Sequence, residues 1–157
     1  MNYKNKDVSV FRLMIAILVS VMIMTGCAVT LVSKYDEQTD ANVTALQKKL
    51  DTYFLKLDGA IYPDCSFAAN KSFYDEVNIQ LSSAQVRAYA IPKNDITIQQ
   101  LDALSKAVFS LENAQKLRDG KSLCLPVEIV RTDRTMFNSI FTAILKYELA
   151  KKRGESY

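Results

Sequence analysis

From residue 43 onward, apolar residues recur at steps of three and four in four separate runs. This is the spacing of one face of an α-helix. The first run is Val43, Leu46, Leu50, Tyr53 and Leu57, widened by Phe54. Asp36, Glu37 and Asp40 stand at its start, where the helix dipole favours negative charge, and Gly59 follows its end as a stop. The pattern predicts a helix over 36–58. The segment IYPDCSFAANK, residues 61–71, reads as a loop. Beyond it, Ser72 is placed to cap a second helix, with Asp75 three residues on. Phe73, Val77, Leu81, Ala84, Ala88 and Ile91 form its face, and Pro92 ends it. The third helix has a capping box in Thr97 and Gln100 and a hydrophobic staple in Ile96 and Leu101. Its stripe runs through Leu101, Leu104, Val108 and Leu111 to Leu117, with Gly120 as the stop. PVEIVR, residues 126–131, fits either an extended piece or a first helical turn. From Asp133 the fourth helix is well patterned, with Phe137, Ile140, Phe141, Ile144, Leu145 and Tyr147 facing inward and Lys151, Lys152 and Arg153 in its last turn.

Each predicted helix has about twenty residues and spans roughly 30 Å. Similar lengths and mostly short connections predict an all-α fold, an antiparallel up-down-up-down four-helix bundle over residues 36–153. That topology puts the loop after the first helix and the loop after the third at one end of the bundle. Cys65 lies in one and Cys124 in the other, so a disulfide between them is expected if the domain is exported to an oxidising compartment. The alternative is a pair of buried thiols.

The beginning of the chain bears on that compartment. Residues 1–12 are polar and basic, residues 13–24 (LMIAILVSVMIM) are apolar, and Thr25 and Gly26 precede Cys27. This is the order of a secretory signal: basic start, short apolar core, small residues at the cut. The stretch Met24-Thr25-Gly26-Cys27 resembles the lipobox of bacterial lipoproteins, with Met24 where Leu is usual. The resemblance implies cleavage after residue 26, a diacylglycerol on the Cys27 sulfur and acylation of the new amine, with 27–35 as a tether. A second reading stays open. Residues 13–32 are twenty residues without a charge, long enough to cross a bilayer as an uncleaved anchor. Either way the positive charges precede the apolar run, so everything after residue 33 is expected outside the cytoplasm. The stretch SKYDEQTDANVTALQKK from Ser33 also resembles uncharacterised bacterial envelope lipoproteins, which implies no activity. The expected location is the bacterial cell envelope, facing the periplasm, with the outer membrane preferred over the inner.

Composition narrows the chemistry further. The net charge is +3, and removal of residues 1–26, with Lys4, Lys6 and Arg12 against Asp7, leaves +1. A nucleic-acid partner is therefore not expected. Gly (4) and Pro (3) are too scarce for an all-β fold rich in tight turns. There is no His, which removes Ser-His-Asp and Cys-His catalysis and the commonest metal ligand. No cofactor and no metal site is expected. Asp36, Glu37 and Asp40 are read as a helix start rather than a cation site. A paired-carboxylate site at Asp51 and Asp58, seven residues apart, stays open, with no further residue to support it. Lys151, Lys152 and Arg153 are read as caps of the last carbonyls rather than a contact for anionic lipid or polysaccharide. The suggestive positions are Val86, Tyr89 and Phe109, apolar residues off the main stripes, which would mark a partner surface if they cluster. The leading expectation is a non-enzymatic, membrane-tethered envelope lipoprotein that binds a protein partner or supports an assembly. Pilotins are likewise small, helical, disulfide-bearing lipoproteins, a similarity of class only. The alternative is a carrier of a small apolar ligand held between the helices.

Overall fold

The computed structural model describes Met14, Ile15 and residues 31–154. Cys27, most of the signal segment 1–26 and most of the alternative anchor 13–32 lie outside the described residues. The chain divides into two compact units, residues 1–31 and 32–157. The second contains four α-helices: α1 Glu37–Leu57, α2 Phe67–Ala90, α3 Asp95–Asp119 and α4 Val127–Gly154. No strand occurs among the described residues.

Each helix packs on the next in sequence, and α4 packs back on α1. Polar cross-links fix the sense of each neighbour. Lys49 and Lys56 of α1 meet Glu76 and Asn70 of α2. Asn78 and Gln85 of α2 meet Glu112 and Asp102 of α3. Asp51 and Asp58 of α1 pair with Arg134 and Arg131 of α4. In each pair numbers rise on one helix as they fall on the other. The fold is therefore the antiparallel up-down-up-down four-helix bundle that the stripes predict.

The core is built from those stripes. Val43, Leu50, Val77, Leu101, Leu104 and Ile144 are almost wholly enclosed, and Phe54, Tyr74, Phe137 and Phe141 fill the space between the layers. Each such side chain contributes on the order of 1.5–3 kcal/mol by leaving water. α1 follows its predicted span closely. Asp36 is its N-cap, accepting from the Thr39 amide at 2.9 Å.

Four details depart from the pattern. α2 begins at Phe67, not after Ser72, because Ser66 is its cap and accepts from the Ala69 amide at 3.1 Å. Asn70 then replaces solvent for two loop carbonyls, donating to those of Asp64 and Ser66. α3 begins at Asp95, so Thr97 lies inside the helix and caps nothing. Ile96 is 44 % exposed while Leu101 is fully buried, so no staple closes. The stripe of α3 ends on Gln115, and Leu117 is 74 % exposed. The step from Leu111 to Leu117 turns the helix by about 240°, away from the core. PVEIVR proves to be the first turn of α4, with the Val130 amide bonded to the Pro126 carbonyl at 3.0 Å.

Cys65 and Cys124 form a disulfide with their Cα atoms 5.5 Å apart. The bond closes a loop of 59 residues, which constrains the unfolded chain by about 4 kcal/mol in the chain-entropy model. Replacing both cysteines by Ser is expected to leave the helix content unchanged, because the four stripes still bury one core. The urea midpoint should fall by the equivalent of about 2–4 kcal/mol. Circular dichroism of both proteins through a urea series checks this; equal midpoints would contradict it.

Candidate functional site

Two polar clusters pin the ends of the bundle. At the first end the chain arrives at Ser33, which is buried. Its amide donates to the Lys93 carbonyl at 2.9 Å, and its hydroxyl donates to Asn94 Oδ1 at 2.8 Å. Lys93 adopts the left-handed conformation, φ 60°, that brings this carbonyl round. Asn94 also donates to the Ala88 carbonyl, so its side chain makes no capping bond to α3. The centre of the cluster is Lys151 of α4. Its ammonium donates to Asn94 Oδ1 and Thr97 Oγ1, each at 2.8 Å, and to Glu148 Oε1 at 2.7 Å. All three of its protons are thereby used. The Thr97 hydroxyl donates to the same Glu148 oxygen at 2.7 Å. Glu148 and Lys151 have side-chain exposures of 0 % and 2 %. Lys151 is thus no solvent-facing cap of the last carbonyls. It is the hub that ties the incoming chain, the α2–α3 turn, α3 and α4 together.

At the opposite end, the Tyr53 hydroxyl donates to Gln115 Oε1 at 2.7 Å, and the Gln115 amide donates to the Cys65 carbonyl at 3.1 Å. The Tyr74 hydroxyl lies 3.4 Å from that of Tyr53. Burial raises both phenols, that of Tyr53 to about 12. The disulfide sits beside this chain, and Cys124 Sγ approaches the Ala60 carbonyl at 3.4 Å. The loops so joined present a rim of exposed apolar side chains: Ile61 (75 %), Leu123 (48 %) and Tyr62 (41 %).

Between these ends, depressions follow the outer seam of α1 and α2, the sparsest helix contact in the ring. Near the disulfide end, an open groove of about 410 Å³ is lined by Lys48, Lys49, Thr52, Lys56, Asn70 and Phe73, among others. Its floor is a stacked pair, Tyr53 on Phe73, with ring centroids 3.6 Å apart. A second depression lies further along between Asn42 and Ala45 of α1 and Ile79, Gln80 and Ser83 of α2. It carries no charge, and the buried Gln80 Oε1 in its wall has no hydrogen-bond partner. The Lys49–Glu76 ion pair separates the two.

The three apolar positions singled out from sequence are all exposed: Val86 67 %, Tyr89 63 % and Phe109 64 %. They do not form one patch. Val86 lies on the outer face of α2, two turns beyond Ile79. Tyr89 and Phe109 border the α2–α3 side instead. The Asn78–Glu112 and Gln85–Asp102 bonds set the register there, and it places those two rings at levels about ten residues apart, roughly 15 Å. The acidic residues resolve as helix-start and cross-helix contacts. Asp40 accepts from the Tyr35 hydroxyl, Asp36 binds Arg87 through two bonds of 2.6 Å, and Asp51 and Asp58 bind α4. No cluster of three metal-ligating side chains occurs among the described residues. No helix there is long and apolar enough to cross a membrane. The chain matches no family model, no characterised protein and no solved structure.

The Lys151 hub makes a testable demand. Removing one member of a buried ion pair leaves an uncompensated charge, which costs about 3–5 kcal/mol, whereas an apolar pair of similar volume is often tolerated. Lys151→Met and Glu148→Leu should each be destabilising by that amount. The double variant should lose much less than their sum. A double-mutant cycle by urea unfolding reads the coupling, and additive losses would show that the hub carries none.

A second demand concerns acid. The Arg87 guanidinium, helped by the Thr39 hydroxyl and amide, holds the Asp36 carboxyl well below the usual carboxylate range, against the opposing effect of partial burial. A carboxylate depressed in the folded state stabilises fully above its unfolded pKa, about 3.9. That contribution is lost as pH falls below 4 towards the folded value. Arg87→Met should therefore flatten the decline in urea midpoint between about pH 4 and pH 2. An unchanged slope would assign the acid sensitivity elsewhere.

Proposed function

We propose that this chain is a non-enzymatic, membrane-tethered module of a bacterial cell envelope. In this reading a lipid on Cys27 holds it to the membrane, and it faces the periplasm and binds an envelope protein. The observation that carries this is the polarity of the bundle. The incoming chain is fixed at Ser33 to one end, and the disulfide-tied rim of Ile61, Tyr62 and Leu123 stands at the other. The helix between those ends, from Val127 to Lys151, is about 36 Å long. A domain tethered at one end and stiffened at the far one presents that far end to partners. The rim is apolar, and its loops are fixed in place by the bond between Cys65 and Cys124, so little ordering entropy is lost on contact. A ligand carried between the helices would have to displace Phe54, Tyr74, Phe137 and Phe141, which fill that space.

Two measurements test the reading together. Cys27→Ser should leave a precursor that retains residues 1–26 and takes up no labelled lipid. A photo-crosslinking residue at position 61 should capture an envelope protein in intact cells, and one at position 142 on the outer face of α4 should not. Wild-type protein that keeps residues 1–26 in the membrane fraction would replace the lipid with the anchor. Equal capture, or none, at the two positions would remove the rim from the function.

A further inference from the structure

We propose that the α1–α2 seam is the seat of an amphipathic helix of the partner, one whose apolar stripe is followed by acidic residues. The inference rests on the reading of the chain as a protein-binding module and names the chemistry of what is bound.

The seam has the length, shape and charge for this occupant. From Asn42 to Lys56 it extends fourteen residues along α1, about 21 Å, four turns of a second helix. It is continuous with the rim, because Lys56 and Ala69 line both the basic groove and the depression that holds Ile61. Small side chains, Ala45 and Ser83, border one half, and the exposed Ile79 rises beside them. Val86 extends that apolar line by two turns along the same face of α2. A seam between two helices accepts a third by the ridge-and-groove packing that already builds the bundle. Strand addition has no footing here, because the backbone groups of both helix interiors are bonded within their own helices. The grooves are open rather than enclosed, unlike sites that bury most of a small ligand. A long occupant lying across them covers more apolar surface than a small one dropped in.

Charge sets the polarity of that occupant. The basic half gathers Lys48, Lys49 and Lys56. Glu76 answers Lys49 at 2.7 Å, and the Asn70 amide oxygen accepts from Lys56 at 3.0 Å. On the neighbouring face of α2, Lys71 and Asp75 cancel each other. Within the groove the balance is therefore positive, two ammonium groups in excess of the carboxylates, over an aromatic floor of Tyr53 and Phe73; Asp58 and Asp64 lie beyond it, in the depression towards the rim. The other half of the seam carries no charge. An occupant with apolar residues over Ala45 and Ile79 and carboxylates over the lysines matches both halves.

The test uses the full-length protein in intact cells, with a photo-crosslinking residue placed in turn at position 45 and position 79 in the seam, 61 at the rim and 142 on α4. The seam positions should capture a segment that reads as an amphipathic helix with Asp or Glu at the end facing Lys48 and Lys56. Lys48→Glu combined with Lys56→Glu should lower that capture about tenfold or more. Both lysines are exposed, and an unchanged melting curve of the variant shows that the loss is not unfolding. Reversing the acids of the captured segment to Lys should restore capture by the reversed protein. Capture of lipid at the seam, capture of a segment without acidic residues, or capture indifferent to the lysine reversal would overturn the proposal. Capture at 61 with none at 45 and 79 would leave the binding module standing and remove the seam. No capture at any position would remove both.

Discussion

A single ammonium group, that of Lys151, holds one end of this bundle together. Two helices, the turn between α2 and α3 and the incoming chain converge there: Asn94 from that turn, Thr97 from α3, Glu148 from α4, and Ser33 through Asn94. Taking a lysine and a glutamate out of water costs several kcal/mol per ion before any interaction repays it. The repayment here requires every one of the lysine's protons to find an acceptor. Those acceptors are in place only when the α2–α3 turn, α3 and the end of α4 are in register. The cluster therefore selects one arrangement of the helices over the slipped alternatives that apolar stripes alone would tolerate. Stripes of Leu and Val specify that faces meet; the Lys151 cluster specifies where along the axis they meet. At the other end the covalent bond between Cys65 and Cys124, with the Tyr53–Gln115–Cys65 chain beside it, serves the same purpose.

Most of the architecture was legible in the sequence because burial in a bundle follows the helical period directly. Val43 to Leu57, Leu101 to Leu111 and Phe137 to Ile144 are inside for the reason that their spacing suggests. The pairing of Cys65 with Cys124 was legible because up-down-up-down order leaves only one end for both loops. The failures share a cause. Polar residues carry no stripe signal: Asn70 reads as loop, Thr97 and Lys151 read as caps, and Gln115 and Glu148 attract no reading, although each continues an apolar stripe by three or four residues. The steps from Ile144 to Glu148 and then to Lys151 are of this kind, and a stripe that passes into an acid and a base three residues apart is the available sign of a buried pair. Thr97 also shows how a capping pattern misleads: the residue that fits a capping box is engaged by Glu148 on another helix.

The candidate partner surface was legible only in part. Off-stripe apolar residues identify exposure, not adjacency. Val86, Tyr89 and Phe109 share exposure but divide between two sides of α2. The surfaces that the fold assembles come instead from residues with no common sequence signal. Ile61 and Leu123 stand together because a disulfide draws their loops together. Lys48, Lys49 and Lys56 surround an aromatic pair because the packing of α1 on α2 brings Tyr53 and Phe73 together beside them.

The sparse edge between α1 and α2 changes where the domain breathes. In an ordinary bundle the helix ends fray first, and the amides there exchange with solvent ahead of the middle. Here both ends are bound, one by the Lys151 cluster and one by the disulfide, while the seam between α1 and α2 carries the least packing. The first amides to exchange are therefore expected along the middle of that seam rather than at the tips, as the staves of a barrel hooped at top and bottom part at mid-height.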